Sequence, residues 1–324
     1  MRLPSRLLGA LVLTCSLLGL HGCASLQATQ TRALLAQAPA DIPAQVVLSD
    51  TPFYPQSALQ CGPAALATVM QSAGVAITPD ELTRSVFLPG RQGSLQIDML
   101  AAPRSHGLIS TRIAPQMSGL LHEVAAGHPV VVLLNLSLPI YPMWHYAVVI
   151  GYDLPAGDVL MRSGTTELLR MPLSTFEHTW ARSGQWAFVV LPPAQLPASA
   201  SETDVTDGRV AFERLAAPAQ AIQAYRTALQ PWPHNLVMSL GLGNALFASG
   251  DVRGAAEVLS QAANEHDSAA AWNNLAMARL KLGEHDAALQ AAQHAVRRAQ
   301  SSEPHWLAPA QATLSEVRQT LSGK

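Results

Sequence analysis

A thiol attacks carbonyls as its thiolate, and a helix N-terminus beside an imidazole is one place where a protein can stabilise that form. The chain of 324 residues holds three cysteines and 11 histidines. Cys61 heads the run CGPAALATVMQSAG, where Pro63 suits a first helical turn and Gly74 a stop, so the spacing predicts a helix with the thiol at its start. His145 heads the apolar run HYAVVIGYD, which reads as a strand. A thiol and an imidazole brought together in this way suit acyl transfer, with the histidine moving the proton. His/Cys spacings of the metal-binding kind are absent, so neither metal nor cofactor is expected. The remaining histidines read as surface or structural groups.

The other two cysteines fall in an export segment. Arg2 and Arg6 precede LLGALVLTCSLLGL, an apolar run shorter than the roughly 20 residues a membrane span needs, so residues 1–22 read as a signal peptide. The run ends Leu20-His21-Gly22-Cys23, which resembles the bacterial lipobox and implies cleavage before Cys23 and attachment of lipid to it. Ala24 in the next position resembles the sorting pattern of Gram-negative lipoproteins, which implies an outer-membrane anchor facing the periplasm. Cys15 then leaves with the signal and Cys23 is acylated. Cys61 remains as the one free thiol in an oxidising compartment, either buried and inert or kept for reactivity.

Stepping along the chain gives two folded units. A polar tether covers 23–45, and VVLSDTPFYPQ reads as a short strand ending in a turn at the start of a domain over 46–193. ITPDELTRSVF predicts a helix capped by Thr78 or Asp80, and SLQIDMLAAPRSHG another broken near Pro103. From His128 onward PVVVLLNLS, HYAVVIGYD, DVLMRS, TELLRM and QWAFVVLPP predict an antiparallel sheet, interrupted by a short helix with Ser174 or Thr175 as cap. Helices followed by strands make an α+β domain. Residues 194–206 read as a Pro/Ser/Ala-rich linker. Beyond it, 207–322 reads as an all-α array, because GNALFASGDVRGAAEVLSQAA aligns with AMARLKLGEHDAALQAAQHAV at a fixed offset. The small residues Ala245, Gly250 and Ala255 recur as Ala278, Gly283 and Ala288. This array resembles the tetratricopeptide repeat, over about two and a half units closed by a capping helix, and implies a protein-binding surface.

FYPQSALQCGPAAL followed by WHYAVVIGYD resembles the papain-like cysteine peptidases related to the bacteriocin-processing, double-glycine leader peptidases, over roughly residues 48 to 192. The resemblance implies a papain-like α+β fold, Cys61 as nucleophile and His145 as its acid/base. It assigns Gln56 to the oxyanion hole with the Cys61 N–H, at a spacing one residue shorter than the family pattern, and leaves Gln60 as a rival donor. The family orients its histidine with an Asp in an Asp-Pro step, and this chain has Arg162-Ser163-Gly164 there. Asp153 is the first candidate to substitute, with Asp158, Ser163 or a backbone carbonyl as alternatives. The expected activity is peptide-bond hydrolysis on a polypeptide substrate, with a peptide-binding adaptor as the alternative.

Charge narrows the partners. A formal charge of −2 and no basic cluster give nucleic acid nothing to bind, so the expected partners are a polypeptide substrate or protein and, through lipid, a membrane. The chain has no Walker motif and so lacks the ATPase that accompanies many relatives.

Overall fold

The computed structural model describes residues 28–55 and 59–322. The signal peptide, Cys23 and Gln56 lie outside the described residues. The first unit runs α1 (Thr29–Ala36), β1 (Gln45–Val47), α2 (Cys61–Ser72), α3 (Pro79–Val86), α4 (Gln96–Ala101), β2 (Ile109–Arg112) and α5 (Met117–Ala125). It continues through β3 (Val130–Asn135), β4 (Trp144–Asp153), β5 (Asp158–Ser163), β6 (Thr166–Pro172), α6 (Leu173–Ala181) and β7 (Ala187–Leu191). The strands form one antiparallel sheet in the order β2-β7-β3-β4-β5-β6, with β1 also paired to β4.

Alternation of side chains explains why the central strands are apolar throughout. Val131 and Leu133 of β3, with Tyr146, Val148 and Ile150 of β4, pack in one core with Cys61, Leu66 and Met70 of α2. Their neighbours Val130, Val132, Leu134, Ala147 and Val149 pack in a second core with Leu121 of α5 and Phe176 and Trp180 of α6. Helices therefore cover both faces. Thr78 caps α3 in a reciprocal capping box with Glu81, and a 3₁₀ turn at Ala102–His106 follows α4 where Pro103 interrupts it. Neither Ser174 nor Thr175 caps α6; Pro172 occupies that position, because its extended backbone ends β6 and starts the helix without a break.

The second unit comprises α7 (Glu202–Glu213), α8 (Pro218–Ala228), α9 (Leu236–Ser249), α10 (Val252–His266), α11 (Ala269–Lys281), α12 (His285–Ser301) and α13 (Leu307–Ser322). These make three antiparallel pairs and a closing helix. Gly250 and Gly283 turn the chain in left-handed backbone conformations of φ 91° and 78°. Ala255, Ala278 and Ala288 are fully buried between helices, which is the reason small residues recur at the repeat interval.

Two segments expected to be featureless are structured. The interval 23–45 contains α1, fastened by Gln30 and Thr31 backbone N–H groups donating to the Glu177 carboxylate at 3.0 and 2.7 Å. The interval 194–206 contains the first turns of α7, capped by Ser201, and its preceding residues are tied to a buried Glu123. That carboxylate accepts from Ala198 N–H at 3.0 Å and from Ser199 N–H and Oγ at 2.7 Å. Composition reports the missing apolar period, not such long-range hydrogen bonds. Helix α7 then covers the sheet edge at β2, with Gly208 close against Thr111 and Ser110.

Candidate active site

Cys61 is the first residue of α2, and the exposed Gln60 precedes it without making a side-chain cap. Gly62 must lack a side chain, since a Cβ there would run into the Ser94 hydroxyl. The thiol is buried against β4. Burial raises its pKa, and this outweighs the lowering by the backbone N–H groups of Tyr146, Gly62 and Cys61 that point at the sulfur. The sequence reading expects a depressed value; the structure reverses it, because the apolar floor around α2 costs the thiolate more than the helix N-terminus returns.

His145 is the residue before Tyr146 on β4, the strand that packs against α2, and Trp144 and Tyr146 on either side of it line the Cys61 cleft. Its Nε2 lies 2.9 Å from the Ser163 Oγ on the adjacent strand β5. Among the described residues no hydrogen bond joins thiol and ring, and burial lowers the His145 pKa. Both groups are therefore biased toward neutrality at rest. Nε2 meets Ser163, and among the described residues Nδ1 makes no hydrogen bond.

Asp153 does not orient the ring. It ends β4, eight residues beyond His145 and so about 26 Å along an extended strand. There its carboxylate accepts from Ala156 N–H at 3.0 Å and Gln45 Nε2 at 2.9 Å and pairs with Arg170 at 3.6 Å. Asp158 sits at the same far end, 3.4 Å from Arg170. The turn after Gly151-Tyr152 is a structural turn at the opposite end of the sheet. Of the alternatives read from sequence, Ser163 is the one placed at the ring.

Cys61 opens into a cleft of about 790 Å³. One wall is Leu133, Trp144, Tyr146 and Ser183; the other is the loop Arg91–Gln96. The Tyr146 hydroxyl donates to the Ser94 carbonyl at 3.2 Å and holds the two walls together. Sequence reasoning passed over these wall residues. Trp144 and Tyr146 were accessible to it, since they flank His145 and alternation puts them together on one face.

An antiparallel sheet with a cysteine-headed helix packed against it makes the first unit an α+β domain. Residues 48–188 match the Peptidase_C39 like family, and residues 240–304 match a tetratricopeptide repeat. Among solved structures, a C39-like peptidase from Bacillus anthracis is 20% identical, with 45% of this chain and 97% of that chain covered and a TM-score of 0.40. The peptidase domain of Streptococcus ComA, a bi-functional ABC transporter, is 19% identical over 44% of this chain and 98% of that one, with a TM-score of 0.36. The Sgt2 TPR domain from Aspergillus fumigatus is 20% identical over 40% and 83%, with a TM-score of 0.34. No curated protein matches the chain. The first unit thus resembles a C39-like peptidase domain over residues 48–188, and the second resembles a tetratricopeptide repeat over residues 240–304.

Proposed function

We propose that this protein is a cysteine peptidase anchored to the bacterial envelope, and that its repeats hold the substrate or a partner polypeptide. In this reading Cys61 gives its proton to His145 as its sulfur attacks a peptide carbonyl. The Cys61 N–H and Gln56 receive the oxyanion, and His145 returns the proton to the leaving amine. Water then hydrolyses the thioester, with His145 taking its proton and restoring the thiol. Acylation of Cys23 supplies the anchor, to the outer membrane facing the periplasm. The observation that supports the reading is a helix-heading thiol lining a cleft with Tyr146 of β4, while His145, one residue earlier on that strand, is braced by Ser163.

The alternative, a peptide-binding adaptor, draws support from the same brace. A serine contributes no charge, so the imidazolium formed during turnover lacks the stabilisation a carboxylate gives. Digestion of an unfolded protein and a peptide mixture by the purified full chain decides between them. Cleavage that disappears in Cys61→Ala establishes the peptidase. Peptide binding without cleavage, equal in wild type and Cys61→Ala, establishes the adaptor.

A further inference from the structure

The turn between β3 and β4 is the most apolar exposed surface described. Leu138, Ile140, Tyr141 and Met143 project from it, Ile140 and Tyr141 each 76% exposed. Residues 136–144 contain no charged side chain. The loop is nonetheless built to hold this shape. The Asn135 side chain, itself buried, accepts from the N–H groups of Ser137 and Met143 at 3.0 Å, and Tyr141 N–H donates to the Leu138 carbonyl at 3.1 Å. Fixed hydrogen bonds that keep large apolar groups in water point to an apolar phase that receives them.

Two observations identify that phase as lipid. First, the tether and the hairpin are fastened to the same helix. Glu177 of α6 receives the backbone of Gln30 and Thr31, and Arg182, five residues on, donates its Nε to the Asn135 carbonyl at the hairpin base at 3.1 Å. The two points are about 8 Å apart along the helix. Cys23 precedes Ala28 by five residues, an extended reach of about 17 Å. Second, the apolar tip carries aromatic groups and is flanked by cations, Arg182 at its base and Arg91 on the facing wall of the cleft. An apolar tip with aromatic and cationic groups behind it fits the depth profile of a bilayer interface.

We propose that this hairpin is a lipid-surface wedge, which enters the bilayer beside the acyl anchor and holds the mouth of the Cys61 cleft at the membrane. The substrate is then a polypeptide presented at the lipid surface, through its own anchor or an apolar flank. This rests on the anchored reading of Cys23, whose diacylglyceryl chains would hold the protein on the membrane, and the wedge then fixes the orientation in which the cleft meets it.

The test uses the full acylated chain in vesicles of phosphatidylethanolamine and phosphatidylglycerol with brominated acyl chains, reading tryptophan quenching. Trp144, at the root of the wedge, is one of six tryptophans, so a loss of about one sixth of the emission is expected and Trp144→Phe abolishes it. The combined variant Ile140→Ser, Tyr141→Ser, Met143→Ser is expected to remain on the vesicles through its lipid but to lose the quenching. A chain that sediments with vesicles unquenched overturns the wedge and leaves the anchor standing. A chain that does not sediment overturns both. Quenching that persists in the triple variant, or an unquenched dimer that the triple variant dissolves, overturns it too, the latter in favour of a second copy. Because Cys61→Ala is expected to quench like wild type, failure of the catalytic reading is separate from failure of the wedge.

Discussion

In the repeat region the buried surface is largely alanine, and its polar contacts stay within a helix end or reach about one repeat: Asp251 caps α10 by accepting from Gly254 N–H, and His294 meets Asp267, 27 residues away. In the α+β unit the buried groups include Arg162, Glu123, Asn135 and Glu177, and three of these four are satisfied by partners far along the chain. Arg162 donates to the Thr51 and Ser49 carbonyls as well as to that of Glu167, while Glu177 receives the backbone of α1. A helical array spreads its stability over repeated neighbour contacts, so local damage stays local. A domain tied by buried polar groups concentrates it, and each group removed strands several partners.

The sharpest break of this contrast is functional. Under the proposed mechanism His145→Ala is expected to reduce peptide hydrolysis about a hundred- to ten-thousand-fold with unchanged circular dichroism, since the ring would move the proton and is not part of a buried apolar cluster. Next comes Arg162→Met, which leaves three carbonyls without their donor and is expected to cost about 3 kcal/mol in urea denaturation followed by Trp186 fluorescence. A loss no larger than that of a surface variant would contradict the role given to buried polar groups.

Glu123 gives a pH-dependent version of the same test. Burial acts to raise its pKa, but donation from His128, Ser199 and Ala198 lowers it overall. Its folded value lies below its unfolded value, so the stabilisation is present above the ordinary carboxylate range and is lost as pH falls through the folded value. Wild type is expected to lose stability on that acid limb, and Glu123→Gln to be less stable at neutral pH with a flatter limb, both read by urea denaturation across pH.

Ser163→Asp sharpens the site itself. A carboxylate beside the ring favours imidazolium, so the His145 pKa is expected to rise from its burial-depressed value, read by NMR titration. Ser163→Ala is expected to leave the ring without its brace and to lower turnover while KM holds. No change in either variant removes Ser163 from the site. The smallest effect is expected in the repeats. In Gly241→Ala the new methyl meets the Tyr225 ring, a cost partly offset by helix propensity and worth about 1 kcal/mol net. Loss confined to the α8–α9 contact, seen by hydrogen exchange, is the local response the comparison requires.

The same contrast accounts for what could be read from residues alone. The repeats were legible because period, small residues and glycine turns are local signals, and Ala278, Gly283 and Ala288 occupy the roles their spacing implies. Cys61 and His145 were legible as the head of a helix and the head of a strand. Their environment was not, because the thiol's desolvation depends on how closely α2 seats against β4, and the brace on His145 comes from a different strand. Asp153 was chosen for its charge and its place after Gly151-Tyr152; strand direction carries it away from the ring. Strand β2 was passed over because it is four residues long with buried Ser110 and Thr111, and α1 because its anchoring carboxylate lies 146 residues away.

The Glu123 clasp on Ala198 and Ser199 bears on distance. A clasped linker and a helix laid on the sheet edge restrain the repeats from swinging relative to the sheet. Under the proposed function, a polypeptide held by the repeats would then be offered to Cys61 at a set offset, and the molecule would act as a ruler, choosing its cut by how many residues separate the held segment from the bond in the cleft.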